Sequence, residues 1–382
     1  MLRRLLYLIL TAATSWLLLS CQAQAGSGIS SAVPGLSIAT STRAAALKAS
    51  PVSGSAITST PDAVRTPTYT PAAPIEPACF ETYFFPIAFM PDSQRILVRG
   101  ETGVQIFDLE KLVQEQFLPA PTTLSQPAVA LSPDGQELAW ALEDHSIQWL
   151  RISDQQLLHT LTGHTGPITK LKFSPAGDRL ISASHDGWVR AWDRDGVQVG
   201  EFQPGGGEVL GLGISPDGKL LATIPFDGPM RLWTLPDFEP AAELVARQGG
   251  NGGFDTSDAV FSPDGQYLAA DLATGLFLWR VPDRKELLGG NPGINSMAMA
   301  FSPDGRYLAY VDIDQGNRII LVSPDGSQSI KTLEGNQAPV WELFFSPDSS
   351  LLVSTDGNEI RIWQVETGEL RYIGKASCRG AG

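Results

Sequence analysis

Residues Thr162–Asp193 read TGHTGPITKLKFSPAGDRLISASHDGWVRAWD. Three runs of alternating apolar residues lie in this stretch, parted by turn chemistry. The first, Ile168 to Phe173, ends in Ser174-Pro175-Ala176-Gly177. Proline presets φ at the second position of a tight turn, and glycine tolerates the position that follows. The second run, Leu180 to Ser184, ends in Asp186-Gly187, a short-hairpin signal. The third closes on Ala191-Trp192-Asp193. Alternation with period two sends successive side chains to opposite faces, so the stretch predicts a small antiparallel meander.

The unit recurs. The proline of its first turn is Pro91, Pro133, Pro175, Pro216, Pro263, Pro303 and Pro347, at intervals of 40 to 47 residues. That period suits a four-stranded unit. An eighth Ser-Pro-Asp-Gly, Ser323 to Gly326, follows Pro303 by about half a period, so it is read as the turn between the third and fourth strands of the sixth unit. Gly163-His164 at the opening of the third unit and Trp192-Asp193 at its close resemble the WD-repeat family, whose units are the blades of a β-propeller. The resemblance implies an all-β, seven-bladed propeller of four-stranded antiparallel blades over 79–378. It also implies that His164, Ser184, Asp186 and Trp192 form a hydrogen-bonded network: indole to hydroxyl to imidazole to carboxylate. His164 and Asp186 look like two members of a catalytic triad, but their place in a repeat motif favours a structural role.

The other blades depart from the pattern. Phe107-Asp108 stands in the first blade where Trp192-Asp193 stands in the third. Trp149 of the second blade comes one residue early and should face the other side of its sheet. Trp233, Trp279 and Trp363 hold the position in the fourth, fifth and seventh blades, which predicts packing between neighbouring blades.

The chain opens with Arg3 and Arg4, then an apolar core from Leu5 to Leu19 and Ser20-Cys21. This resembles the signal peptide of bacterial lipoproteins (1–20), with Cys21 as the lipidated residue that anchors the chain on the extracytoplasmic side of a cell membrane. Residues 22–77 are dominated by Ala, Ser, Thr, Gly and Pro, and too little of the segment is apolar to offset the entropy of ordering. The region 21–78 is therefore expected to be a disordered tether with a reach of roughly 40 Å; residues 379–382 are a short tail.

A formal charge of −14 and the lack of a basic stripe argue against nucleic acid as partner. No G-x-S-x-G elbow, H-E-x-x-H or Cys/His cluster occurs, so neither catalysis nor a metal nor a cofactor is expected. The resulting expectation is a monomeric, membrane-anchored platform for protein partners. The alternative is a propeller enzyme or small-ligand receptor with a site in the central channel. His185 and Trp188, in the Asp-Gly hairpin of the third blade, are the candidate partner-binding residues. Trp188 replaces the family's usual Thr and is either a binding anchor or packed on the neighbouring blade.

The last expectation concerns ring closure. The strand count supplies no overlap between the chain ends. With Phe89 aligned on Phe173 and Leu370 on Leu158, Cys79 falls at the place of Gly163 and Cys378 at that of Gly166. Lipidation of Cys21 leaves these as the remaining thiols, which predicts a Cys79–Cys378 disulfide in an oxidising compartment. For so long a loop the chain-entropy model gives about 5 kcal/mol.

Overall fold

The computed structural model describes residues 79–80, 85–100, 102–111, 113–120, 128–244, 258–272, 275–289, 298–313, 316–356 and 359–376, with backbone alone for 79, 80, 85, 86, 375 and 376. All fall within a compact unit spanning Tyr69–Gly382. They form seven sheets, each built on four antiparallel strands in sequence order and the last extended by a fifth strand, and no helix is present among the described residues. The first strands are Phe85–Phe89, Val129–Leu131, Ile168–Phe173, Val209–Ile214, Ala259–Phe261, Met299–Phe301 and Glu342–Phe345. Each touches the first strand of the next blade, and the seventh touches the first. The sheets therefore close into a seven-bladed propeller with these strands around its axis.

The recurrent turn explains why each unit folds as a hairpin. In blade 6, Ser302 Oγ donates to Asp304 Oδ1 at 2.6 Å and accepts the Tyr307 N–H at 2.9 Å. The Ser302 carbonyl takes the Gly305 N–H at 2.9 Å, and Gly305 has φ +71°. Ser302 is fully buried, so its hydroxyl must find partners, and the turn itself provides them. Where Ala176 replaces the aspartate in blade 3, Ser174 Oγ donates instead to Asp178 Oδ1, at 2.6 Å. The Ser323 turn joins Arg318–Val322 to Ser329–Leu333, the third and fourth strands of blade 6.

The core lies between blades. Trp192, Trp233, Trp279 and Trp363 are buried and turn toward the preceding blade: Trp233 shares a core with Ile181 and Val189, Trp279 with Leu232, and Trp363 with Leu321. Trp149 pairs with Ala139, whereas Trp192 pairs with the equivalent of Leu138, Leu180. That offset of one residue sends Trp149 toward the following blade, where its ring meets Phe173 edge-on at 5.1 Å.

The chain ends depart from expectation. Cys79–Phe80 form a short strand that pairs in parallel with Leu370–Ala376, the fourth strand of blade 7, setting Cys79 opposite Lys375 and Phe80 opposite Ala376. Blade 7 thus has five strands, and backbone pairing between the chain ends provides the overlap that the strand count lacks. Two residues carry no periodicity for sequence reading to detect. Cys21 and Cys378 lie outside the described residues.

Candidate functional site: the polar hairpin of blade 3

The second and third strands of blade 3, Arg179–Ser184 and Val189–Asp193, are joined by the hairpin that carries His185, Asp186 and Trp188. Trp192 Nε1 donates to Ser182 Oγ at 3.0 Å; the same hydroxyl lies 2.8 Å from His164 Nε2, and His164 Nδ1 lies 2.9 Å from Asp186 Oδ2. The hydroxyl in this chain is Ser182, not Ser184. In the strand register Leu180 is opposite Trp192 and Ser182 opposite Arg190, so the indole reaches diagonally to Ser182, and Ser184 is one further pair away. Ser184 Oγ instead donates to the Gly166 carbonyl at 2.9 Å and accepts the Asp186 N–H at 3.0 Å.

Arg190 is the member that the sequence reading missed. Its Nη1 lies 2.7 Å from His164 Nδ1 and donates to Asp186 Oδ2 at 3.1 Å. Its Nε lies 3.2 Å from Glu201 Oε2, an ion-pair contact without hydrogen-bond alignment. A signal for it exists: an arginine stands two residues before the tryptophan as Arg190, Arg231 and Arg361. Arg231 donates to the Pro204 carbonyl at 2.8 Å, and Arg361 pairs with Asp356 at 3.6 Å and with Glu359. Each arginine ties the third strand of its blade to a neighbouring turn.

Burial pushes the His164 pKa down, and the Arg190 charge acts the same way against the opposing pull of Asp186. Burial alone would raise the Asp186 carboxyl, but the Thr165 N–H, His164 and the Trp188 N–H together hold it below its ordinary value. The network is thus a neutral imidazole clasped between a carboxylate and a guanidinium. It does not serve as a triad, because Ser182 has no exposed surface and its hydroxyl is engaged by Trp192. A nucleophile must reach its substrate. Among the described residues no cluster of His, Cys, Asp and Glu has a metal-binding arrangement.

Blades 4 and 7 repeat the arrangement in reduced form. Trp233 Nε1 donates to Thr223 Oγ1 and Trp363 Nε1 to Ser354 Oγ, both at 2.9 Å. In blade 7 Asn336 takes the place of the histidine and accepts from Ser354 Oγ at 3.3 Å.

The hairpin itself is partly open. Trp188 is half-buried, its ring lies 5.5 Å from the Arg190 guanidinium, and it belongs to none of the buried apolar clusters of the described residues. Beside it is a recess of about 280 Å³ lined by His185, Asp186 and Gly187 on one side and Gln203, Gly205, Gly207 and Glu208 on the other. Gly205, Gly206 and Gly207 all have φ near +80°, a conformation that L side chains rarely adopt.

These features define a seven-bladed β-propeller. Residues 155–193 and 327–364 match the family model described as WD domain, G-beta repeat. The two segments are those that contain the Gly163-His164 and Gly335-Asn336 openings. Similar curated proteins include a periodic tryptophan protein 2 homolog of Schizosaccharomyces pombe, 32% identical over 37% of this chain and 17% of the relative. The COMPASS component SWD3 of Saccharomyces cerevisiae is 26% identical over 49% of this chain and 60% of the relative. Coronin-7 of Bos taurus is 36% identical over 35% and 15%. The chain therefore spans 60% or less of the length of each of these relatives, and under a fifth of two of them.

Proposed function

We propose that this propeller is a tethered, non-enzymatic platform for protein partners, engaged through the blade 3 hairpin. The observation that carries this reading is Trp188: a half-buried aromatic outside the buried apolar clusters, its ring 5.5 Å from the Arg190 guanidinium, in a hairpin that borders a recess. Partly desolvated aromatic and arginine pairs are the groups on which protein interfaces concentrate their energy. Similarity to SWD3, which is named as a component of COMPASS, supports a role in assemblies. The tether is the segment 21–78, and the anchor is lipid on Cys21, placing the platform on the extracytoplasmic face of a bacterial membrane.

Two variants test the two halves of the proposal. Trp188→Ala should weaken capture of partners by at least tenfold with a melting temperature within about 2 °C of the parent; a large loss of stability would assign Trp188 to the core. Cys21→Ser should move the protein from the membrane to the soluble fraction or block its processing. Unchanged fractionation would rule out the lipid anchor.

A further inference from the structure

The second and third strands of blade 4, Leu220–Pro225 and Met230–Thr234, are joined by Phe226-Asp227-Gly228-Pro229. Pro225 pairs with Val209 as Ser184 of blade 3 pairs with Ile168, each at the start of its first strand. Phe226 and Asp227 therefore stand where His185 and Asp186 stand, and Pro229 stands where Trp188 does. The aromatic residue has moved from one side of the Asp-Gly turn to the other. Phe226 is 52% exposed, the most open of the described phenylalanines and tryptophans.

A glycine loop lies between the two hairpins. On one side, a Cβ on Gly187 would lie 3.1 Å from the Gly207 carbonyl oxygen. On the other, the Phe226 N–H donates to the Glu208 carbonyl at 2.7 Å and the Asp227 N–H to the Gly206 carbonyl at 3.0 Å. These main-chain bonds hold the Phe226 hairpin against the loop whatever its side chains are. Gly205, Gly206 and Gly207 are exposed, and a Cβ on Gly207 would meet nothing within 4 Å. A strip of bare main chain thus separates the Trp188 hairpin from the Phe226 hairpin. Glycine admits another backbone where a side chain would keep it away.

The charge around this strip is one-sided. Arg190 answers two carboxylates, Asp186 at 3.1 Å and Glu201 at 3.2 Å, and Arg231 answers Glu243 at 3.4 Å. Glu201 and Glu243 sit opposite their arginines in the same register and remain exposed. Asp227 is exposed as well, and its carboxylate has no hydrogen bond or ion pair among the described residues. The carboxylates Asp186, Glu201, Asp227 and Glu243 therefore have only Arg190 and Arg231 to share.

We infer that partners meet this surface with an extended, basic segment. Its main chain lies along the glycine strip, an apolar side chain covers Phe226, and a lysine or arginine answers Asp227. The inference rests on the reading of Trp188 as a binding anchor and adds blade 4 to it. A single exposed aromatic is ordinary, but Phe226 stands on a hairpin bonded to Glu208, which lines the recess of about 280 Å³. An extended segment suits the strip because its own N–H and C=O groups are free to pair, whereas a helix uses them internally. An acidic segment would be repelled by the surplus of carboxylates.

Random linear peptides displayed on phage, selected on the full-length protein at neutral pH, test this. The enriched peptides are then synthesised and titrated by fluorescence polarisation. They should carry Lys or Arg close to Leu, Ile, Phe or Trp. Phe226→Ala and Asp227→Lys should each weaken them at least about tenfold, the loss of a single anchor, with an unchanged melting temperature. Asp227→Lys serves if Phe226→Ala fails to fold. Enrichment of acidic or uncharged peptides, or of none, would overturn the inference. Binding lost in Trp188→Ala but unchanged in Phe226→Ala and Asp227→Lys would overturn it while leaving the blade 3 hairpin as the anchor; binding unchanged in all three variants would remove both.

Discussion

At the scale of single residues, what distinguishes the hydroxyls of blade 3 is which buried groups depend on them. Ser182 satisfies both the Trp192 indole and the His164 imidazole, whereas Ser184 bonds within its own turn. An orphaned buried polar group costs about 1–3 kcal/mol. Ser182→Ala orphans two such groups and should destabilise the fold by roughly that amount or more, and by more than Ser184→Ala, as read from urea midpoints at constant m. The reverse order would restore the Ser184 assignment. His164 gives a pH signature. Its folded pKa is depressed by burial, so the unfolded chain takes up a proton near pH 6.5 that the folded chain refuses. The stabilisation is therefore complete above about pH 6.5 and falls as pH drops below it. Asp186, also depressed, adds a loss of stability of the same sign at more acid pH, below its unfolded value of about 4. His164→Asn, which copies Asn336 of blade 7, should flatten the dependence between pH 5 and 7. An unchanged slope would assign it to other groups.

At the scale of the element, blades are held by close approach as well as by tryptophan. A Cβ on Gly213 would lie 2.4 Å from the Ala259 carbonyl oxygen, because the first strands of blades 4 and 5 approach there backbone to backbone. Gly213→Ala should destabilise the fold by about 1–3 kcal/mol through overpacking; a neutral result would mean that this interface is loose. Much of a blade is legible in sequence because turn residues and alternation are local. A turn proline marks the first hairpin of every blade, and the one-residue offset of Trp149 predicts its face correctly. Which hydroxyl meets Trp192 is less accessible, since it depends on the pairing of two strands and on a bulge between Ile168 and Lys170. Arg190 recurs as Arg231 and Arg361 at a fixed blade position, so an alignment of the repeats on one another contains its signal.

At the scale of the whole molecule, the count of seven blades follows from seven turn prolines, and the ring is closed by the contact between the first strands of blades 7 and 1. The closing strand, Cys79–Phe80, is too short to leave a pattern. Its register also constrains the proposed disulfide: Cys79 is opposite Lys375, three residues before Cys378, so a bridge requires the chain beyond Ala376 to turn back toward it. Peptide mapping without reductant should recover a Cys79–Cys378 linked pair from the full-length protein isolated from its cells; free thiols at both positions would leave closure to the strand alone.

The central claim is that the protein works by holding partners at the blade 3 hairpin. A photo-reactive amino acid placed at position 188 in intact cells tests this directly. Position 330 is the control, an exposed isoleucine on the outer strand of blade 6. The account predicts a discrete crosslinked protein from position 188 and none of the same mass from position 330. No crosslink at 188, or an equal one from both positions, would contradict it.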